Sequence, residues 1–423
     1  MDTTKNVCNS KDSEDMVKEI QDKDILHWNY RGLKEIPEAI RHHGTNVKEI
    51  YLKNNELTSL PSWLKDCSEV TNLYFYGNNI ERVPDALGQM SHLTVLDISA
   101  NRLSEFPTCL AYLKNLQSLS VDQNSITRLP TSLEKLKKLE RLSISGNQIV
   151  VLPEWLGTLP RLTELLADNN LIEEIPNRLT LSTSLELLSV RSNKLNFLPM
   201  NGFLSNPIIR FDSNLFLNYL SLPVLLQLFS KTSQPSSQVE AGGSLAYGCF
   251  SSRNNDKRRH DAGIKLLLIS DRNRVEYKEV AVQLPRQLLA VHTHYENVTI
   301  SLWESSLRKF YASRYRHTLD INIDPPDVIT ERDLRNDHYL QDVNPQELSR
   351  LSYNLILNGP ISICVNQFCN QPIFTEAWII FAIGKNTFLI PNITILCSHR
   401  CAINFLKTPY FMDNFELYRL HHN

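Results

Sequence analysis

Four of the eight cysteines form two closely spaced pairs near the C-terminal end of the sequence. Four residues separate Cys364 from Cys369, three separate Cys397 from Cys401, and the longer segment 370–396 lies between the pairs. A tetrahedral structural zinc site commonly has four thiolate ligands, two from each of two tight turns. Such a site has no open position for a catalytic water, so the spacing predicts a structural zinc ion and not hydrolase chemistry. His399, inside the second pair, is an alternative ligand, and four unrelated free cysteines are the alternative to a metal site.

Two helices are predicted on the N-terminal side of these cysteines. One begins at Asn344 as N-cap with Pro345 as its first helical residue, and its apolar stripe starts at Leu348. The other places Leu307 and Tyr311 on one apolar face. An apolar segment at 264–269 is predicted as a strand, so residues 263–423 are expected to form a small α+β module.

The composition is that of a soluble globular protein, with 42% apolar and 21% charged residues. A formal net charge of −2 gives no reason to expect general affinity for nucleic acid or an anionic membrane. The N-terminal segment is polar and lacks the apolar region of a signal peptide, and no apolar run has the length of a membrane span. A cytoplasmic location with reduced thiols is therefore predicted.

The region before the module is periodic. Proline stands at positions 61, 84, 107, 130, 153, 176 and 199, a constant interval, and asparagine keeps the same interval at positions 55, 78, 101, 124, 147, 170 and 193. Apolar residues keep fixed offsets, and the copy from Leu116 to Pro130 reads LxxLxVxxNxIxxLP. Seven consecutive copies hold this register, which indicates a repeat array.

These copies resemble leucine-rich repeats of the short, intracellular type. Each apolar core is expected to form a short strand, and stacked strands form one parallel sheet on the concave side, which buries an apolar column that no single repeat could bury. The asparagines are expected to form a hydrogen-bonded ladder with backbone groups of neighbouring turns. The predicted fold is α/β, with a polar tail at 1–23, a leucine-rich-repeat solenoid with caps at 24–230, a flexible linker at 231–262 and the cysteine-containing module at 263–423.

Side chains that alternate with the buried leucines are expected to point out of the concave face and to carry specificity. Nine strands spaced by about 4.8 Å would span roughly 40 Å, which is enough for an interface of about 800 Å² per partner. The candidate protein-binding residues are Tyr51, Tyr74, Tyr76, Asp97, Asp122, Asp168, Arg191, Arg210 and Asp212. Tyrosine and arginine are enriched at binding hot spots, although each residue alone is also compatible with an ordinary solvated surface.

The succession of a repeat block and a cysteine segment is similar to that of leucine-rich-repeat proteins with a compact cysteine-bearing C-terminal module. The segments 364–369, 372–374 and 396–401 carry this resemblance. Some proteins of this architecture are similar to substrate receptors of cullin-type ubiquitin ligases. That resemblance implies docking of elongin at Leu307 and Tyr311 and of a cullin at Pro345 and Leu348. Two amphipathic core helices are the alternative interpretation of these residues.

Function is predicted to be protein binding without catalysis, with the concave face capturing a partner and the zinc-containing module anchoring a second one. An intracellular signalling scaffold, whose C-terminal module only caps the solenoid, is the alternative. An enzyme is disfavoured because the sequence contains no phosphate-binding glycine-rich loop and no nucleophile-elbow motif.

Overall fold

The structure is a computed structural model that describes residues 10–217, 219–230, 264–268, 278–282, 284–285, 287–315, 352, 355, 360–366, 369, 371–384 and 391–417. Residue contacts divide the chain into two compact units. The first comprises residues 1–173, 182–193 and 207–211, and the second comprises 174–181, 194–206 and 212–423. The predicted linker at 231–262 lies outside the described residues. No helix within the described ranges is long and apolar enough to cross a membrane.

The first unit contains a sheet of nine parallel strands, each paired in register with the next. The strands are Ile25–His27 (β1), Glu49–Tyr51 (β2), Asn72–Tyr74 (β3), Val95–Asp97 (β4), Ser118–Ser120 (β5), Arg141–Ser143 (β6), Glu164–Leu166 (β7), Leu187–Ser189 (β8) and Ile208–Arg210 (β9). The middle residue of each strand is apolar and buried, whereas most of the residues beside it are at least partly exposed. Leu73 and Leu96, for example, are both fully buried, and burial of one leucine side chain stabilises the fold by about 1.5–3 kcal/mol. The parallel sheet predicted from the repeats is confirmed.

The prolines of the repeats begin the segments that return on the other side of the array. Pro61 has φ −73° and ψ 143°, and Pro130 and Pro153 adopt nearly the same extended conformation. A single turn of 3-10 helix follows each of them. The 3-10 helices are Ser62–Asp66, Asp85–Gln89, Thr108–Tyr112, Thr131–Lys135, Glu154–Thr158 and, in the second unit, Asn177–Leu181.

The asparagine ladder predicted from the sequence is confirmed by the hydrogen bonds. Asn147 Oδ1 accepts from the backbone N–H of Ile126 at 3.0 Å, while its Nδ2 donates to the carbonyls of Val121 and Ile144, both at 3.0 Å. Equivalent bonds recur at the other copies, and Asn147 is only 7% exposed. One amide therefore joins three backbone groups that would otherwise be buried without partners.

Replacing Asn147 with leucine is expected to lower the free energy of unfolding by about 2–4 kcal/mol, because a buried N–H and two carbonyls lose their partner. Thermal and urea unfolding of the full chain measure this change. Asn46→Leu is the matched control, since Asn46 is exposed. Equal unfolding curves for Asn147→Leu and wild type would remove the stabilising role of the ladder.

Helix α1, Ser10–Asp22, lies within the segment predicted as a polar tail. Its Ile20 is fully buried. Its Glu19 accepts hydrogen bonds from the Trp28 indole at 3.1 Å and from the Arg31 guanidinium at 3.0 Å. The helix therefore contacts the residues that follow β1, and it also contacts a short second helix, α2 (Ala39–His43).

The second unit is built on a mixed sheet. Its strands are Leu220–Ser221 (β10), Ala290–Thr293 (β13), Glu376–Gly384 (β16), Pro391–Leu396 (β17) and Phe415–Leu417 (β18). Strand β16 is central, pairing in parallel with β13 and antiparallel with β17 and β18, while β10 runs parallel to β17. Two further hairpins pair Ile264–Leu268 (β11) with Lys278–Val282 (β12), and Ser362–Ile363 (β14) with Pro372–Ile373 (β15). The strand predicted at 264–269 is confirmed.

Four helices accompany this sheet among the described residues. They are Leu222–Ser230 (α3), Leu302–Tyr315 (α4), His399–Leu406 (α5) and Pro409–Asn414 (α6). Trp378 and Ile380 of β16 are fully buried in the core, together with Phe197, Met200 and Tyr219 from the end of the repeat region. The last repeat segments and the C-terminal sheet of the second unit thus share one apolar core.

Candidate functional site

The four cysteines predicted as metal ligands lie together in the second unit. Their Sγ atoms are all within 4.8 Å of one another. The Cys369 and Cys397 sulfurs are 3.3 Å apart, and the Cys397 and Cys401 sulfurs are 3.6 Å apart. Zinc–sulfur bonds of about 2.3 Å in a tetrahedron place the sulfurs about 3.8 Å apart, which lies within this range of separations. Cys364, Cys369, Cys397 and Cys401 can therefore hold a metal ion.

Two local structures bring the sulfurs to this place. Cys364 follows β14, and its N–H donates to the Gln371 carbonyl at 2.9 Å, which closes the turn that carries Cys369. Cys397 directly follows β17, and Cys401 lies in the first turn of α5, where Ser398 is the N-cap. A backbone hydrogen bond thus positions the first cysteine pair, and the Ser398 hydroxyl, which accepts from the Cys401 N–H at 3.2 Å, positions the second.

The four thiols of the cluster are close enough to share protons, and they differ in pKa. Cys364, Cys397 and Cys401 are buried, and only Cys369 is partly exposed. Hydrogen bonds from Cys364 and then from Cys397 lower the pKa of Cys369, and a hydrogen bond from Cys364 lowers the pKa of Cys401, whereas the pKa of Cys364, which shares its proton with Cys369, is raised, as is that of Cys397. Two thiolates this close together repel each other, and soft sulfur ligands in a tetrahedral arrangement suit zinc.

A buried ion pair supports the cysteine cluster from α4. Glu304 is fully buried and accepts hydrogen bonds from the backbone N–H groups of Phe374 and Thr375 at 2.9 and 2.7 Å. Arg308 donates to Glu304 Oε1 at 2.7 Å and to the carbonyl of Cys397 at 2.9 Å. Sequence analysis missed this pair. Its only signal was the spacing of four residues between an acid and a base, which is common on solvated helices.

The candidate residues of the concave face fall into three groups, of which the first is aromatic. Tyr51 and Tyr74 are paired neighbours on β2 and β3, and their rings stack with centroids 4.3 Å apart. His27 on β1 extends this column at 4.8 Å from Tyr51. Tyr76, two residues beyond Tyr74, is 37% exposed. The rings of Tyr51 and Tyr74, proposed from the sequence, therefore form a continuous aromatic column with His27.

The second group is acidic and joins neighbouring strands. Asp122 accepts hydrogen bonds from the Ser145 N–H and the Ser143 hydroxyl, at 2.6 and 2.7 Å. Asp168 accepts from the Arg191 N–H and the Ser189 hydroxyl, at 2.8 and 2.7 Å. These two carboxylates therefore stabilise the array itself. A signal was present in the sequence, because a serine on the adjacent strand follows each aspartate at the same spacing.

The third acidic candidate, Asp97, accepts a hydrogen bond from the Ser99 N–H at 3.0 Å, within its own repeat.

The third group lies near the C-terminal end of the array. Arg210 ends β9 and is exposed, while Arg191 is partly exposed. Asp212 follows β9 in the chain, belongs to the second unit and is also partly exposed.

Leu307 and Tyr311, the residues implied as an elongin contact, lie on α4 and are only 3% and 5% exposed. Both pack on Phe374, and the Tyr311 and Phe374 rings meet edge to face with centroids 5.4 Å apart. Their side chains therefore serve the core of the second unit. Pro345 and Leu348, implied as a cullin contact, lie outside the described residues.

Comparison with known proteins identifies the repeats. The family described as Leucine rich repeat matches residues 45–103, 68–126 and 114–172. The fold is a leucine-rich-repeat solenoid followed by an α+β module with a four-cysteine cluster. A search of curated proteins found no match.

The solved structures to which the chain is similar include bacterial and plant proteins. A leucine-rich-repeat protein of Leptospira interrogans is 26% identical, with a TM-score of 0.45, over 48% of this chain and 52% of that one. Internalin C2 of Listeria monocytogenes is 29% identical, with a TM-score of 0.40, over 48% of this chain and 84% of that one. The ectodomain of the plant receptor kinase GASSHO1/SCHENGEN3 from Arabidopsis thaliana, solved with CASPARIAN STRIP INTEGRITY FACTOR 2, is 27% identical with a TM-score of 0.36; the match covers 43% of this chain and 23% of that one. The chain thus spans about half of the Leptospira protein and less than a quarter of the receptor ectodomain.

Proposed function

We propose that this protein is a non-catalytic adaptor whose concave repeat face captures a protein partner. The observation that carries the proposal is the nine-stranded parallel sheet, which presents a continuous row of side chains from β1 to β9. Leucine-rich-repeat sheets typically serve as extended binding surfaces of this kind. Tyrosine and arginine residues, the types enriched at hot spots, are present near the two ends of the row.

In this proposal the cysteine cluster holds a structural zinc ion. The donor set of four sulfurs leaves no open coordination position for a reacting water. The ion would stabilise the second unit by joining the turn after β14 to the first turn of α5. A cytoplasmic location belongs to the same proposal, because the four thiols must remain reduced in order to bind metal.

A finer form of the proposal is a substrate receptor of a cullin-type ubiquitin ligase. It rests on a resemblance of the repeat block and of the cysteine segments 364–369 and 396–401 to leucine-rich repeat-containing proteins 58 and 28, and on the form of the segment 306–315. Because Leu307 and Tyr311 are buried, docking through them requires α4 to leave its core. Affinity purification with mass spectrometry tests this form. Recovery of elongin and a cullin with wild type, and their loss with the exposed-face variants Ser306→Glu and Lys309→Glu, would support it; absence of both components would contradict it.

One observation favours the alternative of a scaffold whose C-terminal module only caps the array. Phe197, Met200 and Tyr219 of the repeat region lie in the same core as Trp378. The module would then stabilise the end of the solenoid without a partner of its own. An adaptor with two binding sites would still retain a protein through the second unit when the concave face is altered. A scaffold whose module only caps the array would retain none there.

Charge reversal at Arg191 and Arg210 is expected to weaken partner capture without unfolding the array. Affinity purification compares the Arg191→Glu/Arg210→Glu variant with wild type, and a melting curve reports the fold. The matched control is Lys137→Glu/Arg161→Glu, which reverses two exposed charges outside the strands. If both variants retain the partners of wild type, capture does not depend on this end of the concave face.

A further inference from the structure

The aromatic column at the N-terminal end of the concave face already holds a cation. The Lys53 ammonium nitrogen lies 4.9 Å from the centroid of the Tyr74 ring and 5.8 Å from that of Tyr51. Aromatic faces attract cations within about 6 Å because the ring quadrupole is negative at its face. The stacked rings of Tyr51 and Tyr74, joined in register by His27, therefore form a surface suited to positive charge.

Negative charge lies immediately beside this column. Asp97 on β4 is the paired neighbour of Tyr74 on β3. Asp122 follows one repeat further, and burial raises its pKa, with a smaller contribution from repulsion by Asp97. No lysine or arginine forms an ion pair with either carboxylate among the described residues. Their hydrogen bonds to Ser99, Ser143 and Ser145 hold them in place without neutralising them.

We propose that Tyr51, Tyr74 and Tyr76, together with Asp97, bind a cationic segment of the partner protein through its arginine side chains. This inference rests on the proposed function of the concave face and names the chemistry of its partner. Arginine fits better than lysine, because its planar guanidinium stacks on aromatic rings and can pair with a carboxylate through two hydrogen bonds. A phosphate backbone would instead meet the Asp97 carboxylate and be repelled.

The test screens a library of random displayed peptides against the full-length protein and sequences the peptides that bind. Arginine is expected to be enriched in the selected peptides. A fluorescein-labelled selected peptide then serves as the probe, with a version that carries glutamine in place of arginine as its control. Affinity of the arginine peptide is expected to fall as ionic strength rises, because the pairing is partly electrostatic and exposed.

Matched variants locate the contact. Tyr74→Leu is expected to weaken binding of the arginine peptide about five- to tenfold by removing the aromatic face, whereas Tyr74→Phe retains the ring and most of the affinity. Asp97→Asn is expected to weaken binding while it keeps the oxygen that accepts from the Ser99 N–H. A melting curve of each variant confirms that the array remains folded.

The outcomes separate this inference from the proposed function. Selected peptides without arginine enrichment would overturn the inference. Binding that is lost with Arg210→Glu but unchanged by Tyr74→Leu and Asp97→Asn would also overturn it, while partner capture by the concave face would stand. Binding that none of these variants alters would contradict both.

Discussion

Replacing Cys364 with serine is expected to release the metal ion from the full-length protein and to destabilise the second unit by several kcal/mol. Cys364 is 2% exposed, and its sulfur lies within 4.8 Å of the other three. A serine hydroxyl is a harder and less acidic ligand than a thiol and does not replace the thiolate. Zinc bound by a structural site contributes about 10–16 kcal/mol in small zinc peptides, so loss of one ligand in four removes a large part of the stabilisation.

Two measurements check this expectation. Elemental analysis of protein purified under reducing conditions should find about one zinc per chain in wild type and almost none in the variant. Hydrogen exchange should accelerate in β17, which precedes Cys397, and in α5, which contains Cys401. Cys67→Ser is the control, because Cys67 is a buried free thiol that belongs to the first unit. Wild-type protein without metal, or a variant with undiminished metal, would contradict the assignment of the cluster.

The second large effect is expected at the buried ion pair of α4. Arg308→Met should lower the free energy of unfolding by about 3–5 kcal/mol, the usual result of removing one partner of a buried pair. The carboxylate of Glu304 would remain fully buried. The carbonyls of Cys397 and Glu376, which accept from Arg308 at 2.9 and 3.0 Å, would each lose a hydrogen bond.

The measurement for Arg308→Met is urea unfolding combined with hydrogen exchange of β16. Lys23→Met is the matched control, since the exposed Lys23 pairs with Glu19 at the same spacing of four residues, and a change within about 0.5 kcal/mol is expected there. The double variant Glu304→Gln/Arg308→Met removes both charges and should recover part of the stability. An Arg308→Met protein as stable as wild type would show that the pair contributes nothing net.

The bond from Arg308 to the Cys397 carbonyl links both predictions. Because this carbonyl belongs to a residue of the cysteine cluster, the Arg308→Met variant is also expected to release metal to a chelator faster than wild type. Lys23→Met should release it at the wild-type rate. Such a difference would show that α4 positions the cluster as well as filling the core.

The solenoid could be predicted from the repeat period, because every interaction that defines it recurs between neighbouring repeats. Leu119 is paired in register with Leu96 and Leu142 on the adjacent strands. Asn147 forms hydrogen bonds with backbone groups of its own turn and of the preceding repeat. The same bonds therefore recur once in every repeat, and the spacing of the asparagines predicts them. The cysteine pairs were also visible, since two ligands from one tight turn must be close in sequence.

Contacts between distant segments of the folded chain determine which of the predicted site residues remain available for binding. A helical pattern showed that Leu307 and Tyr311 share an apolar face, but Phe374, more than sixty residues later, covers it. Alternation along the strands directed Asp122 and Asp168 outward, but the neighbouring strand engages both carboxylates. The periodicity of a sequence predicts the face of an element on which a side chain lies. The residue that packs against that face comes from a distant segment, and its position in the sequence follows no fixed spacing.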